Sequence, residues 1–239
     1  MSIGSRLTGF AVMLLAGAAS AAPPLDAVDE KLRTVWNEQK AVTAHISVTS
    51  KIPLGDRDLT ARASGNLACM RHNGTSIYRQ LMSANLEGME NGESTIDMVF
   101  DGENLRMVTG VAGVRHSVQT EPNLSQGTPP GGAMLLDVLR DELDLRVRGE
   151  EPVDGVQAYV LEGTRKPGAA IPFERATVFL EKDTGLLRRL VMWGKENQVL
   201  AEMKLHDVVY DAPITAEDIL GEAAGEQAAP EASEKDGKE

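Results

Sequence analysis

The sequence is poor in cysteine, in aromatic residues and in positive charge. Cysteine occurs once in 239 residues, which excludes an internal disulfide and any multi-cysteine metal centre. Aromatic residues make up 4% of the chain, and 36 acidic side chains face 24 lysines and arginines, for a formal charge of −12. Nucleic acids are bound largely by basic side chains at phosphates and by aromatic rings at bases. The composition therefore argues against a nucleic-acid partner.

The sequence also lacks the motifs of common catalytic and cofactor sites. It contains no GxSxG, P-loop, GxGxxG or CxxC pattern. The single Cys69 has no partner cysteine and is typical of a small buried apolar residue. Four histidines are each isolated on a predicted strand or turn, without the spacing of metal ligands: His45, His72, His116 and His206. We therefore predict that the protein is not an enzyme and holds neither a metal nor a cofactor.

Residues 1–21 have the features of a secretory signal peptide. Arg6 precedes an uncharged apolar run over residues 7–16, and the small residues 19–21 fit a cleavage site. The run is too short to cross the ~30 Å hydrocarbon core of a bilayer comfortably, and no cysteine follows it to carry a lipid anchor. An uncleaved membrane anchor is the alternative. We predict an exported, soluble protein of the periplasm.

Residues 221–239 are predicted to be a disordered acidic tail. They contain six acidic residues, two lysines and no large apolar side chain, so burial cannot offset the entropy of ordering them. The predicted domain therefore covers residues 22–220. A chain of that length can bury a core without disulfides or a metal.

Two amphipathic helices are predicted in this domain. The first has apolar residues at steps of three and four: Leu25, Val28, Leu32, Val35, Trp36 and Val42. The second follows a long loop rich in proline and glycine, and its apolar residues are Met134, Leu135, Val138, Leu139 and Leu143. Asp141, Glu142 and Asp144 accompany the second helix and are interpreted as solvent-exposed charges.

Most of the remaining segments alternate between apolar and polar residues, as strands do. The clearest strands span 46–52, 60–70, 76–86, 156–164, 175–182, 186–193 and 199–209. Short turns such as Asn73-Gly74, Asn91-Gly92 and Asp101-Gly102 connect neighbouring strands. About eleven strands joined in this way predict one strongly curved antiparallel sheet.

Arg71 interrupts an otherwise apolar strand face. Strand alternation places it on the same side as Leu67 and Cys69. An arginine that faces the interior must find acceptors, because an unpaired buried charge is very costly. The alternative is that the strand ends near residue 70 and that Arg71 reaches water.

Three segments resemble the periplasmic outer-membrane lipoprotein carrier (LolA-like) superfamily. They are residues 65–71 (GNLACMR) before a hairpin, residues 98–105 (MVFDGENL), and the last strands from residue 154 to residue 211. This resemblance implies a mainly β fold with helical lids, an incomplete antiparallel β-barrel around an apolar cavity for acyl chains. It also implies that Arg71 bonds to the lid backbone and holds the cavity closed. His72 stands where the family usually has proline.

The resemblance implies a carrier-type protein, a chaperone for lipid or lipoprotein acyl chains in outer-membrane lipoprotein sorting. The alternative is a regulatory or sensor module of the same fold, which binds mislocalised lipoproteins and a membrane protein. The implied partners are lipoprotein acyl chains or phospholipid, an inner-membrane releasing complex and an outer-membrane acceptor, and the protein is expected to be a monomer. With Arg71 as the gate, the candidate cavity-lining residues are Trp36, Val48, Leu67, Leu81, Met98, Phe100, Leu135 and Leu139.

Overall fold

The structure is a computed structural model that describes residues 22–54, 57–87, 93–111, 114–120 and 129–221. The predicted signal peptide, the Asn91-Gly92 turn and residues 222–239 of the predicted tail lie outside these ranges, so the domain boundaries stay a prediction. Within the described ranges, no helix has both the length and the apolar character needed to span a bilayer.

The described residues contain eleven strands, which form one sheet in which all neighbours are antiparallel. They are β1 (Ala41–Leu54), β2 (Arg57–His72), β3 (Thr75–Leu86), β4 (Ser94–Phe100), β5 (Leu105–Val111), β6 (Val114–Thr120), β7 (Leu143–Val153), β8 (Val156–Arg165), β9 (Arg175–Glu181), β10 (Leu187–Trp193) and β11 (Val199–Tyr210). Their order is β6-β5-β4-β3-β2-β1-β11-β10-β9-β8-β7. Because β6 and β7 are not paired with each other, the sheet is open, as in an incomplete barrel. The predicted mainly β, antiparallel fold is confirmed to this extent.

In the described ranges, three α-helices accompany the sheet: α1 (Leu25–Glu38), α2 (Gly132–Glu142) and α3 (Ala216–Leu220). Helices α1 and α2 pack on each other and on β7, whereas α3 packs on β2, β3 and β4. Two details of the sequence prediction are wrong. Val42 belongs to β1 because the chain becomes extended at Gln39, and Leu143 begins β7, a strand that the sequence analysis did not assign.

The inner face, defined here as the side on which α1 and α2 pack, divides into two apolar clusters. The covered half comprises β7–β10, where residues of both helices join the strands in one buried cluster. Its helical members are Val28, Leu32, Leu135, Leu136 and Leu139. The open half comprises β1–β5, and its cluster is Trp36, Val42, Ala44, Ile46, Leu67, Cys69, Tyr78, Met82, Met98, Phe100, Leu105, Leu186 and Leu205. Strand β11 lies between the two halves.

The β2–β3 hairpin sets the edge of the site described below. Asn73 and Gly74 both have positive φ, at 49° and 85°, which suits a two-residue hairpin turn. The predicted turn is confirmed, and strand β2 continues to His72. Arg71 therefore lies inside a strand that pairs with β3, so the fraying expected near residue 70 does not occur.

Candidate functional site

The structure separates the predicted lining residues into three groups. Five of them gather in the open half: Trp36, Val48, Leu67, Met98 and Phe100. Leu135 and Leu139 belong instead to the cluster of the covered half. Leu81 lies on the outer face with 48% of its surface exposed, because Gln80 and not Leu81 pairs with Leu67 across the β2–β3 ladder. The placement of Leu81 among the lining residues is therefore corrected.

A cavity of about 480 Å³ lies where the end of α1 and helix α2 meet the β2–β3 hairpin and the β4–β5 turn. Its apolar lining residues are Trp36, Phe100, Met134 and Val138, and its polar or charged ones are Asn37, Arg71, Thr75, Ser76, Glu103, Asp137 and Asp141. Three sequence candidates, Trp36, Phe100 and Arg71, thus share this cavity. A lining that combines apolar with polar and charged side chains suits an amphipathic ligand.

Trp36 is held in place from two sides of the cavity. Its indole Nε1 donates a hydrogen bond to Ser76 Oγ at 2.9 Å, on strand β3. On the other side Gly132, with φ of +63°, approaches so closely that an added Cβ would lie 2.2 Å from Trp36 Cγ. Only glycine fits that contact and that backbone conformation. The ring therefore joins the start of α2 to the open half of the sheet.

Arg71 joins the end of α1 to the β2–β3 hairpin. Its Nη1 donates to Asn37 Oδ1 at 2.7 Å, and its Nη2 donates to the carbonyl oxygen of Gly74. Its backbone N–H also donates to the carbonyl oxygen of Lys40 at 3.1 Å. The resemblance implied a bond from this arginine to helix backbone. In the part of the chain that the structure describes, its guanidinium instead contacts a helix side chain and the hairpin backbone.

Helices α1 and α2 are fixed to each other by buried and half-buried charges. Asp29, 7% exposed, accepts hydrogen bonds from Arg33 Nε at 2.7 Å and from Arg140 Nη1. Arg33 also donates from Nη2 to Asp137 Oδ1 at 2.6 Å, and this bond, ahead of the one to Asp29, raises the pKa of the Arg33 guanidinium. Asp137 lines the cavity, so the helix pair and the cavity wall share one ionic network.

Tyr78 is a site residue that the sequence analysis missed. It is fully buried in the open half, and its ring stacks on Phe100 with centroids 5.4 Å apart. Among the described residues its hydroxyl has no hydrogen-bond partner, and burial raises its pKa. Its position on the inner side of β3, opposite Cys69, was the available sequence signal. Burial also raises the pKa of the Cys69 thiol to about 12, as expected for a buried apolar residue.

Part of the inner face remains half-buried. Four apolar side chains pack against the cluster of the open half without being fully covered: Val48, Ala63, Ile96 and Met107. Val48 pairs with Ala63 on β1 and β2, and Ile96 and Met107 lie on β4 and β5, beyond β3. Beyond them the edge strand β6 is exposed along nearly its whole length. The half-buried patch therefore extends the buried cluster toward the open edge of the sheet.

The structure brings two of the predicted isolated histidines together. His45 and His206 are directly opposite each other on β1 and β11, and Ser47 Oγ lies 3.0 Å from His206 Nε2. The prediction that each histidine stands alone is wrong for this pair. Within the described segments, no group of three or more His, Cys, Asp or Glu side chains is placed to hold a metal ion.

The fold and site define an open antiparallel sheet with helices on part of its inner face. No protein-family profile and no curated protein matches the chain. Its structural neighbours include a LolA superfamily protein from Nitrosomonas europaea, with 8% identity and a TM-score of 0.33, over 83% of this chain and 98% of that one. This is the superfamily that the sequence resembles.

Two further neighbours have slightly higher similarity. LprF from Mycobacterium bovis has 15% identity and a TM-score of 0.39, over 80% of this chain and 96% of its own. The MucA/MucB complex of Pseudomonas aeruginosa matches with 15% identity and a TM-score of 0.47, over 83% of this chain. The match covers 62% of that neighbour's chain. At these similarities the functional argument depends on the described residues themselves.

Proposed function

We propose that the protein is a non-enzymatic binding protein that holds the acyl chain of a lipid or lipoprotein on the inner face of the open half. One observation carries this proposal. Helices α1 and α2 pack mainly on the other half and reach the open half only through side chains such as Trp36 and Met134, so the apolar residues of the half-buried patch stay partly exposed beside a buried cluster. The sequence resemblance to the LolA-like superfamily supports the same class of ligand.

Affinity in such a site would come from burial of the chain itself. Each methylene removed from water contributes about 0.8 kcal/mol, so a few buried carbons suffice for measurable binding. Met98, Met107 and Met134 lie in or against the cluster of the open half, and flexible thioether side chains adapt to chains of different shape. Release requires no chemistry, because a partner that favours an open conformation shifts the equilibrium.

The 480 Å³ cavity is the proposed entrance to this face. It contains Trp36 and Phe100, which also belong to the cluster of the open half. Arg71 is the proposed gate, since its bonds to Asn37 and Gly74 join α1 to the hairpin across this opening. We expect the protein to act as a monomer. The features of residues 1–21 predict that it does so in the periplasm.

The first experiment is mass spectrometry of the organic extract from natively purified protein, with a heat-denatured sample as control. We expect near-stoichiometric phospholipid or acylated peptide. The delipidated protein should then bind an acyl-chain fluorophore and lose that binding in Ala63→Phe, which fills the inner face. Ser64→Phe is the matched control, because the next residue of the same strand is exposed on the outer face.

A clean extract together with no fluorophore binding would contradict the proposal. That outcome would favour the second candidate, a regulatory or sensor module that binds a membrane protein partner. The cavity favours a protein ligand in that case, because Glu103, Asp137 and Asp141 line it together with apolar side chains. A basic amphipathic segment would complement this combination of charge and apolar surface. A stable complex with a membrane protein, without lipid transfer, would identify this function.

A further inference from the structure

The Tyr78 hydroxyl is buried without a partner among the described residues, unlike the polar atoms of Tyr210, Trp193 and Trp36. Tyr210 donates its hydroxyl to Glu181 Oε2 at 2.5 Å, and the indole Nε1 of Trp193 donates to Thr177 Oγ1 at 3.2 Å. The Trp36 indole has Ser76 as its acceptor. Tyr78 is fully buried, yet nothing in the described ranges accepts from its hydroxyl. A buried hydroxyl without a partner destabilises the ligand-free protein.

The surroundings of Tyr78 define which acceptor would suit it. Its neighbours on the inner face include Cys69 across the β2–β3 ladder and Phe100 across the β3–β4 ladder. Cys69 and Phe100 are apolar and buried, and Gln80, two residues along β3 on the same face, is buried and polar. Burial of a carbonyl among these groups costs less than burial of an ionised headgroup, because a charge loses more hydration. Burial raises the pKa of the hydroxyl, which therefore keeps its proton near neutral pH. The group is a neutral donor that requires a neutral acceptor.

We propose that the Tyr78 hydroxyl anchors the ligand by donating a hydrogen bond to the carbonyl oxygen of an acyl ester or amide. This inference rests on the proposed function, because it specifies the polar contact of the same site. The carbonyl lies at the junction of chain and headgroup, so the bond fixes how far the chain enters the open half. Phe100 contacts both Tyr78 and the cavity, which connects the anchor to the proposed entrance.

The test compares ester-linked with ether-linked phosphatidylethanolamine of the same chain length, since the ether lipid lacks the carbonyl oxygens. Each is titrated into delipidated wild-type protein and into Tyr78→Phe. We expect the substitution to weaken binding of the ester lipid about 3- to 10-fold, as for loss of one hydrogen bond, and to leave binding of the ether lipid unchanged. A diacylated cysteine peptide, whose chains are also ester-linked, is the third ligand and shows which source of carbonyl is preferred.

The stability of the ligand-free protein provides a second measurement. Tyr78→Phe removes a hydroxyl that has no described partner, so its urea midpoint should equal or exceed that of the wild type. Tyr210→Phe is the matched control and should lower the midpoint, because that hydroxyl has an acceptor. Gain of stability together with loss of ester affinity is the expected combination for a ligand anchor.

The possible failures are distinguishable. If the wild type binds none of the three ligands, the proposed function fails and this inference fails with it. If the wild type binds and Tyr78→Phe binds the ester lipid equally well, only the anchor is wrong. Equal weakening for the ester and ether lipids would also overturn the anchor, because it would show a change in packing and not the loss of a bond to a carbonyl.

Discussion

The covered half and the open half belong to the same sheet and each has a buried apolar cluster, yet helices α1 and α2 bury most of their apolar side chains in only one of them. In the covered half, Leu136 and Leu139 of α2 and Leu32 of α1 are completely buried together with the strands. In the open half, Ile96 and Met107 are only partly buried beside a similar cluster. The comparison shows that the helices bury the apolar residues of one half more completely than those of the other.

Trp36 is the residue that connects the two halves. It lies on α1, whose other buried residues Val28 and Leu32 belong to the covered half, but its ring packs in the open half. Asp29 and Arg33 on the same helix bind the side chains of α2. The position of α1 therefore sets both the stability of one half and the shape of the cavity at the other.

The largest expected effect distinguishes the two halves directly. Leu139→Ala in the covered half should lower the free energy of unfolding by about 2–5 kcal/mol, because a fully buried side chain leaves a cavity. Met107→Ala in the open half should lower the free energy of unfolding much less, since the Met107 side chain is only half-buried. Urea titration of both variants measures this. Equal losses would show that the open half is packed as tightly as the covered one.

The next effect concerns the contact between the halves. Gly132→Ala should destabilise the protein by about 2–4 kcal/mol, because it combines a positive φ with a collision against the Trp36 ring. Gly155→Ala is the control, since it has a φ of +84° with no atom within 4 Å of an added Cβ. In thermal unfolding, the melting temperature of Gly132→Ala should therefore be well below that of Gly155→Ala. Similar melting temperatures would contradict the close contact between Gly132 and the Trp36 ring.

Arg71→Leu should affect the gate much more than the stability. Its guanidinium is half-exposed, so loss of its bonds to Asn37 and Gly74 should change the free energy of unfolding by at most about 1 kcal/mol. Release of a bound acyl fluorophore should become faster, because α1 is no longer held to the hairpin. Stopped-flow displacement measures the release rate. An unchanged rate in Arg71→Leu would refute the gating role.

The smallest expected effect is the contribution of Glu162 to the pH dependence of the free energy of unfolding. Glu162 on β8 accepts hydrogen bonds from Arg146 and, at 3.5 Å, from Arg175, and the bond from Arg146 is the main reason that its pKa lies below 4.5. A lowered folded-state pKa stabilises the protein above the unfolded-state value, and this stabilisation is lost as the pH falls through the folded-state value.

Glu162→Gln should therefore be less stable than the wild type at pH 7, by under about 1 kcal/mol, and the difference should shrink toward pH 3. Urea titrations at the two pH values test this. A difference that stays constant would show that the ionised carboxylate contributes nothing. Acyl-chain binding at pH 7 should be unaffected, since Arg146, Glu162 and Arg175 lie on β7, β8 and β9, away from the open half.

Several features of the fold could be predicted from local sequence patterns. The Asn73-Gly74 turn follows from the preference of those residues for positive φ, and the burial of Cys69 follows from strand alternation. Strand β7 was missed because its outward positions are charged, as Asp144 and Arg146 illustrate, and because it begins directly where α2 ends. Leu81 was misplaced because face assignment depends on parity, and a shift of one residue reverses it.

The candidate site was less predictable than the strands that carry it. The approach of Gly132 to Trp36 and the ionic pair between Arg33 and Asp137 join residues about a hundred positions apart. No local periodicity predicts such contacts. The unpartnered hydroxyl of Tyr78 is likewise visible only once its neighbours are known.

The sequence by itself determined most of the strands, the two amphipathic helices and the hairpin turn, because hydrophobic period and turn chemistry act over a few neighbouring residues. The tertiary structure alone decided which half of the inner face the helices cover. That choice depends on the fit of α1 and α2 to each other and to β7–β10, which is a property of shape and charge between distant segments. Where those helices end, the apolar surface of the open half begins.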